Sequence, residues 1–379
     1  MKKFVAILLC VLMVLAIVAC KKTETKPEEP KTETTTEAKP EEPKKVQVVN
    51  LVNGNLGDKS FFDSAESGMK ALSDAGLVEY KTIEMGTDES TWKNYVEEVA
   101  ASKKYDIIVC GTWQMPDNLI PVAQKYPDQL FIIYDTEVKV DDKYLPNIAS
   151  IQYNQNDMGY LVGVYAALLE TKSDLSGLNE QKILGFVGGE DSPVICDFLV
   201  GYIEGAQSVD PEIKIDWRWI GNYTDSALGK EIGAAEIEAG ADIIWGVGGN
   251  AGTGAVEACY EKGMYFIGVD SDQEQTLDPK YAAVTLTSGL KNVGTSLEYV
   301  IKKYIEGDKS FWGTCSYLGL AEDGVGIATA GNFAKQSQEI QDAVNAVKDK
   351  ILKGEVKVDT AFDANFDYYG LMNTVKSGN

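Results

Sequence analysis

The sequence predicts an α/β protein built from two similar lobes, each containing a parallel β-sheet. Three observations lead to this prediction. Apolar segments that end in glycine recur in both halves, further strand segments follow them at matching spacings, and amphipathic segments separate the strands. The length of 379 residues also favours two lobes, because single hydrophobic cores stop growing at about 250–300 residues.

The repeated strands are the most informative of these observations. Segments 48–54 and 183–189 are both apolar runs that end in glycine, as buried strands often do. Each half then offers two more strand segments, and the aspartates in these segments are separated by distances that differ by a single residue between the halves. The four segments are 105–111, 131–136, 241–246 and 266–271. Shared strand order and spacing imply two lobes of one fold.

The segments between the strands predict helices. Segment 62–75 places its apolar residues on one helical face. Segments 228–238 and 253–262 carry small residues where a helix would press on a sheet. Helices that alternate with fully apolar strands along the sequence are typical of parallel sheets that are covered on both faces.

The carboxyl ends of the strands are the predicted ligand-binding edge, since open parallel sheets bind ligands there. Six residues mark these ends: Gly54, Gly111, Asp135, Gly189, Gly246 and Asp270. If the lobes face each other, all six sets of loops line one cleft.

The chain is expected to cross between the lobes three times, through extended segments that form a hinge. This predicts a first lobe of residues 46–152 plus about 285–310, and a second lobe of residues 153–284 plus about 313–379.

The amino terminus predicts export and lipidation. Lys2 and Lys3 precede an apolar run of about fifteen residues, which is short for a membrane span of roughly 20 residues. The run ends at Ala19-Cys20, the pattern at which bacterial lipoprotein precursors are acylated and cut, although a chance cysteine after an ordinary signal is the alternative. We therefore expect a signal peptide over 1–19 and an acylated Cys20. A disordered tether is expected over 20–45, where Lys, Glu, Thr and Pro predominate.

Composition excludes several classes of function. The formal charge is −23, and removing Lys2 and Lys3 would make it −25, which disfavours nucleic acid as a partner. The chain has no histidine, which excludes Ser-His-Asp and Cys-His catalysis and His-ligated zinc. We predict no cofactor and no metal. Four cysteines follow Cys20 and should be buried free thiols, although export permits disulfides: Cys110, Cys196, Cys259 and Cys315.

Several short motifs occur in order along some three hundred residues. They are Gly54-x-x-x-Asp58-Lys59-Ser60-Phe61, Gly185-Phe186-Val187-Gly188-Gly189 with Pro193-Val194-Ile195, Gly221-x-Tyr223-x-Asp225 before Gly229-Lys230, Ile267-Gly268-Val269-Asp270-Ser271-Asp272-Gln273, and Lys291. Through them, residues 46–356 resemble the basic membrane protein family of purine-nucleoside-receptor-like lipoproteins that serve ABC importers. The resemblance implies a type I periplasmic-binding-protein fold, with two Rossmann-like lobes and a three-segment hinge, that binds a nucleoside.

The resemblance also implies ten ligand-binding positions. They are Asp58, Lys59, Phe62, Trp113, Asp117, Tyr223, Gly249, Asn250, Asp270 and Lys291. Asp270 would accept hydrogen bonds from the ribose hydroxyls, or else cap the next helix. Lys291 would lie near the same sugar or pair with Asp270, unless it is simply exposed. Asp58 and Ser60 are alternatively helix caps, and Asp117 would accept from the base or cap a helix after Pro116.

The aromatic and glycine positions have alternatives of their own. Trp113 and Tyr223 would sandwich a base, with core packing as the alternative, and core packing is favoured for Phe61 and Phe62. Gly249 and Asn250 lie in a glycine-dense segment that resembles a dinucleotide loop but would instead let the backbone approach a sugar.

The leading hypothesis is a lipid-anchored receptor on the outer face of the cell membrane that passes a nucleoside, preferably a purine, to an ABC permease. A monomer without enzymatic activity is expected. Two departures weaken the purine assignment, because many relatives have an acidic or amide residue in place of Gly57 and an aromatic in place of Glu66. The alternatives are a surface sensor or adhesin, a receptor for another small ligand such as a sugar, and a hydrolase that uses Asp58 and Asp270 as acid and base.

Overall fold

The computed structural model describes residues 45–377, in which helices flank two β-sheets. The predicted signal peptide, Cys20 and all of the tether except Lys45 lie outside the described residues. No helix between residues 45 and 377 combines the length and the apolar character that crossing a membrane requires.

The first sheet consists of six parallel strands. They are β1 (Val46–Val52), β2 (Val78–Glu84), β3 (Ile107–Gly111), β4 (Leu130–Tyr134), β5 (Ile148–Tyr153) and β11 (Thr314–Leu318). Their spatial order is β11-β5-β4-β3-β1-β2. The inner strands are almost wholly buried, whereas the edge strand β2 carries three charged residues. Charge on an edge strand discourages pairing with another chain.

The second sheet also has six strands. They are β6 (Ile183–Gly188), β7 (Lys214–Trp219), β8 (Ala241–Val247), β9 (Tyr265–Asp270), β10 (Thr285–Lys291) and β12 (Val325–Ile327). Their order is β12-β10-β9-β8-β6-β7, and all are parallel except β12, which is antiparallel to β10. The order matches that of the first sheet strand for strand, which confirms the predicted α/β fold of two parallel-sheet lobes.

Eleven helices connect the strands of the described region. They are α1 (Phe61–Asp74), α2 (Glu89–Ser102), α3 (Pro116–Lys125), α4 (Gln155–Lys172), α5 (Pro193–Val209), α6 (Ser226–Glu238), α7 (Gly249–Lys262), α8 (Pro279–Ala282), α9 (Val293–Ile305), α10 (Gln338–Leu352) and α11 (Tyr368–Val375). Short polar side chains cap several of them, as in α6, where the Asp225 carboxylate accepts a hydrogen bond from the backbone N–H of Leu228.

Helices α4 and α5 pack unusually closely in the second lobe. A Cβ atom on Gly201 of α5 would lie 2.0 Å from the backbone oxygen of Asn156, and one on Gly163 of α4 would lie 2.2 Å from that of Tyr202. Glycine at these positions therefore lets the two helix backbones touch. This contact fixes the start of α5, which borders the cleft described below.

The chain passes between the two sheets three times. It leaves the first sheet after β5, returns after β10 to form α9 and β11, and leaves again before β12. Helix α9 packs on α1, where Gly68 and Gly294 bring the backbones together. We define the first lobe as residues 45–153 and 292–318, and the second lobe as residues 154–291 and 319–377.

These boundaries differ from the predicted ones at two strands. The predicted first lobe included residues 285–310, but β10, at the start of that range, pairs with β9 of the second sheet. The predicted second lobe included residues 313–379, but β11, at the start of that range, pairs with β5 of the first sheet. Strands β10 and β11 each complete their own sheet before the chain crosses to the other lobe. The sequence predicts extended segments here but does not show which sheet they join.

The four described cysteines are free thiols. Cys110, Cys196 and Cys259 are buried, and Cys315 is half-buried. Burial raises the pKa of the Cys110 thiol to about 12. Within residues 45–377, no group of three or more Cys, Asp or Glu side chains is arranged to hold a metal ion.

Candidate ligand-binding site

A cavity of about 590 Å³ lies between the two lobes. It is bordered by the loops that follow β1, β3 and β4 in the first lobe and β6, β7, β8 and β9 in the second. The volume is within the range of about 300–1,000 Å³ that is typical of small-molecule sites. The loops at the strand ends that the sequence marked therefore border one cavity, which is partly open to solvent.

Eight of the ten predicted site residues line this cavity. They are Asp58, Phe62, Trp113, Tyr223, Gly249, Asn250, Asp270 and Lys291. The other two, Lys59 and Asp117, lie elsewhere. Lys59 borders a separate groove of about 290 Å³, and its backbone carbonyl accepts a hydrogen bond from Gln273 Nε2 at 3.2 Å. Asp117 is exposed in the first turn of α3, where the helix dipole favours a negative charge.

A buried ion pair joins the lobes across the cavity. Lys291 Nζ, at the end of β10, lies 2.6 Å from Asp135 Oδ1, just beyond β4. The side chains are only 2% and 7% exposed, respectively. Burial raises the pKa of Asp135, and the Lys291 ammonium opposes that rise. The sequence analysis considered Asp270 as the partner of Lys291, but the structure pairs Lys291 with Asp135.

Asp270 occupies the equivalent position in the second lobe. Asp135 directly follows β4 and Asp270 is the last residue of β9, the matching strand, and their φ angles are 68° and 64°. The Asp270 carboxylate caps no helix, since its Oδ2 accepts a hydrogen bond from Ser60 Oγ at 2.5 Å. No hydrogen bond within residues 45–377 reaches Asp270 Oδ1. Burial raises the pKa of Asp270 to about 6, although Lys291 and the Ser60 hydroxyl lower it.

Asp58 is a helix-capping residue that also lines the cavity. Its carboxylate accepts backbone N–H bonds from Ser60 and Asp63 at 3.1 Å and from Phe62 at 2.9 Å. Burial nevertheless raises its pKa. Most of its hydrogen-bonding capacity is thus directed to the start of α1, which was the alternative interpretation of this residue.

Aromatic side chains surround the remainder of the cavity. Trp113 of the first lobe donates a hydrogen bond from Nε1 to Tyr223 OH of the second lobe at 3.4 Å, so the two rings meet across the cleft. Phe61 and Phe62 both line the cavity, with their ring centroids 5.3 Å apart. Phe61 packs against the core, as the sequence favoured, but both phenylalanines also border this space. Gly54 allows the Phe62 ring to approach, because a Cβ there would lie 2.6 Å from it.

Gly249 and Asn250 begin α7 at the second-lobe side of the cavity. Gly249 has a φ of 54°, a left-handed conformation that glycine adopts without strain. Asn250 Nδ2 donates to the Thr224 carbonyl at 3.1 Å, which ties α7 to the loop that carries Tyr223.

The polar residues that line the cavity but were not proposed as ligand contacts from the sequence include Asn53, Asp135 and Glu190. Asn53 is buried and donates from Nδ2 to Thr112 Oγ1 at 2.7 Å, while its Oδ1 has no partner. Each residue lies within two positions of the end of a strand. This closeness to a strand end is the sequence signal that could have identified the three residues. It had already marked Asp135 as a strand end.

The cavity is acidic. Its lining contains four carboxylates and one ammonium, which are Asp58, Asp135, Glu190, Asp270 and Lys291. The single arginine of the chain, Arg218, is not among the lining residues and pairs with Asp216 at 2.8 Å. Because Lys291 is already paired, a phosphate group would meet no free cation here. The arrangement can accept hydrogen bonds from neutral hydroxyl and N–H groups and stack against flat rings.

Comparisons with known proteins agree with this architecture. A "CD4+ T-cell-stimulating antigen" of Listeria monocytogenes is 29% identical over 80% of this chain and 85% of its own. Among solved structures, a solute-binding protein of an ABC transporter system from Aeropyrum pernix superposes with a TM-score of 0.77 and 25% identity, over 88% of this chain and 98% of that one. A myo-inositol-binding protein from Caulobacter shares the fold, with a TM-score of 0.57 and 13% identity over 79% of this chain and 98% of its own.

The sequence comparisons define the family. The "ABC transporter nucleoside-binding protein BmpA" of Lactococcus lactis is 30% identical over 331 residues, which are 83% of this chain and 88% of that protein. "Basic membrane protein D" of Borreliella burgdorferi is 28% identical over 92% of this chain and 93% of its own. The model of the PnrA-like substrate-binding proteins matches residues 45–361. Members of this family are transport proteins and not enzymes. The chain belongs to the PnrA-like (Bmp) family of ABC transporter substrate-binding proteins.

Proposed function

We propose that this protein binds an unphosphorylated nucleoside, with a purine base preferred, in the cavity between its lobes. The observation that carries the proposal is the Asp270 carboxylate, which is buried at the strand end and has one oxygen free of hydrogen bonds within the described residues. A carboxylate oxygen in this position suits a ribose hydroxyl donor, because a charge-assisted hydrogen bond is stronger than a neutral one.

The aromatic side chains support a ligand with a flat ring. Phe62 and Trp113 from the first lobe and Tyr223 from the second border the same space as Asp270. In nucleic-acid systems, stacking one base on an aromatic side chain contributes about 1–3 kcal/mol. The Lactococcus relative, whose name describes nucleoside binding, supports the same ligand class.

The charge of the cavity supports a ligand without phosphate. Among the lining residues in the described part of the chain, Lys291 is the only one with a cationic side chain, and Asp135 engages it. Phosphate recognition usually requires arginine, lysine or exposed backbone N–H groups. A nucleotide would bring a double negative charge to three further carboxylates, so we expect nucleosides to bind and nucleoside monophosphates to be rejected.

The test is isothermal titration of the mature protein with adenosine, guanosine, inosine, uridine, ribose and adenosine monophosphate. At least one purine nucleoside should bind, and the monophosphate should not. Asp270→Asn should weaken nucleoside binding about tenfold to a hundredfold, because hydrogen bonds to charged groups contribute about 1.5–3 kcal/mol. Asp117→Asn is the matched control, since Asp117 is exposed and outside the cavity. Binding of a hexose or an amino acid with no response to any nucleoside would contradict the proposal.

We further propose that the protein is held on the outer face of the cell membrane through an acylated Cys20 and delivers its ligand to an ABC permease. The predicted lipobox supports the anchor, and relatives that are described as lipoproteins support the location. Cys20→Ala should move the protein from the membrane fraction to the medium or periplasm. Deleting the gene should abolish uptake of the nucleoside that binds in titration, and unchanged uptake would contradict a role in import.

A further inference from the structure

Ser60 connects the two lobes through its hydroxyl and its carbonyl, although the sequence suggested only a helix cap. It is fully buried in the first lobe at the start of α1. Its backbone N–H donates to Asp58 Oδ1 at 3.1 Å, its hydroxyl donates to Asp270 Oδ2 at 2.5 Å, and its carbonyl accepts from Ser271 Oγ at 3.1 Å. Two of these three bonds reach the second lobe.

The hydroxyl bond determines how Asp270 presents its carboxylate. Oδ2 is occupied by Ser60, so Oδ1 is the oxygen left to accept from a ligand. The Ser60 hydroxyl also lies 3.3 Å from the Val269 carbonyl, a second acceptor that it can use when Asp270 is protonated and itself donates. The same side chain therefore satisfies both protonation states of Asp270 but favours the ionised one, since a carboxylate is the stronger acceptor.

We infer that Ser60 is a positioning residue that directs Asp270 Oδ1 toward the ligand, keeps Asp270 ionised and fastens the first lobe to the second. This inference rests on the proposed function of the cavity, because it assigns a role to Ser60 in that same site. Gln273 Nε2, which donates to the carbonyl of Lys59, adds a neighbouring bond between the lobes. Side-chain and backbone groups of the protein thus bind the loop before α1 directly to the second lobe.

Several charged or titratable groups act on Asp270 and set its response to pH. Lys291 favours its ionised form, whereas Asp58 and Asp135 disfavour it. Tyr153 lies close enough for the Asp270 charge to raise the pKa of the tyrosine hydroxyl. Burial, together with Asp135 and Asp58, raises the pKa of Asp270 to about 6, although Lys291 and the Ser60 hydroxyl lower it. Removal of the Ser60 hydroxyl takes away one of the two groups that lower this pKa.

The first experiment compares wild type with Ser60→Ala in the free protein. With 13C-labelled aspartate, the carboxyl signal of Asp270 is assigned by its loss in Asp270→Asn and followed through a pH titration. We expect the midpoint in Ser60→Ala to rise by about one pH unit, the equivalent of one hydrogen bond to a charged group. Ser64→Ala is the matched control, because Ser64 Oγ accepts only from Gly294 N–H of the first lobe and should leave the midpoint unchanged.

The second experiment measures binding of adenosine or inosine, whichever binds wild type more tightly, between pH 5 and 8. Binding should weaken in both proteins as the pH is lowered. The pH at which binding weakens should be about one unit higher in Ser60→Ala than in wild type. Thermal melts of both variants establish that they are folded. An unchanged Asp270 midpoint, or a loss of affinity by the same factor at every pH, would overturn the inference. If no nucleoside binds, the proposed function fails, but the titration of the free protein still decides the role of Ser60.

Discussion

Replacing Lys291 with methionine should weaken ligand binding by about a hundredfold or more without unfolding either lobe. Lys291 Nζ lies 2.6 Å from Asp135 Oδ1, and the side chains are 2% and 7% exposed. Removing one partner of a buried ion pair costs about 3–5 kcal/mol, because the other charge stays buried and unpaired. At about 1.4 kcal/mol per tenfold change, 3 kcal/mol corresponds to a factor of about one hundred and fifty.

The cost should fall on lobe closure because the two residues belong to different lobes. When the lobes separate, the Asp135 carboxylate can regain water, so an open form escapes the penalty that the closed form bears. Methionine removes the Nζ ammonium, which lies 4.5 Å from the centroid of the Phe198 ring, but keeps the length of the apolar lysine stem. The melting temperature should therefore change little, while the population of closed molecules falls.

Two measurements check this prediction. Titration calorimetry gives the change in affinity, and spin labels on the two lobes report the distribution of interlobe distances in the free protein. Lys70→Met is the matched control. Lys70 pairs with Asp74 at 2.5 Å, but both side chains are 66% exposed, and such a surface pair contributes only about 0–1 kcal/mol.

The double variant Asp135→Asn with Lys291→Met separates pairing from direct contact with the ligand. If pairing explains the loss, removing both charges should restore most of the affinity, as expected for coupled residues. If Lys291 instead contacts the ligand, the double variant will bind no better than Lys291→Met. That result, or an affinity within about twofold of wild type for Lys291→Met, would refute the reasoning.

Two further predictions concern the second lobe. Glu236 is fully buried, no salt bridge within residues 45–377 reaches it, and burial raises its pKa well above its ordinary value. Its contribution to stability is therefore greatest below about pH 4.5 and is lost as the pH rises. Glu236→Gln should raise the free energy of unfolding at pH 8 by about 1–2 kcal/mol, whereas the exposed Glu238→Gln should not. Gly201→Ala should lower the free energy of unfolding by about 2–3 kcal/mol, because the new Cβ would lie 2.0 Å from the Asn156 carbonyl oxygen. Gly326→Ala should change the free energy of unfolding little, because the space around that position is open. Denaturant unfolding measures all four variants, and equal effects within either pair would contradict these assignments.

The repeat in the sequence was sufficient to predict the fold and the location of the cavity. Matching apolar runs give matching strands, and parallel strands bring their carboxyl ends to one edge. Most of the predicted site residues are near such ends, so they line the cavity whether or not they contact a ligand. Lys59 and Asp117 lie outside the cavity, because the position of a residue in a loop does not fix the direction of its side chain. Lys59 has a φ of 55°, and Asp117 lies on the exposed side of α3.

The contacts between the lobes could not be predicted from the sequence. Ser60 and Asp270 are separated by 210 positions, and Lys291 and Asp135 by 156, so no local pattern connects them. Asp135 and Asp270 are equivalent residues of the two lobes, and the sequence offers no reason to prefer either as the partner of Lys291. The choice depends on how the lobes are oriented, which is a property of the hinge and of the packing of α9 on α1.

The charge balance of the cavity also bears on how closure and ligand choice are related. Closing the lobes removes water from the three buried carboxylates of the cavity, and each loses solvation that must be replaced by hydrogen-bond donors. Asp58 obtains backbone N–H groups, Asp135 obtains Lys291, and Asp270 obtains Ser60 for one oxygen only. The remaining oxygen of Asp270 needs a donor that the protein does not supply within the described residues. A neutral ligand with hydroxyl groups supplies that donor, whereas an anionic ligand adds a further unpaired charge, so the requirement that favours closure is the same one that selects the ligand.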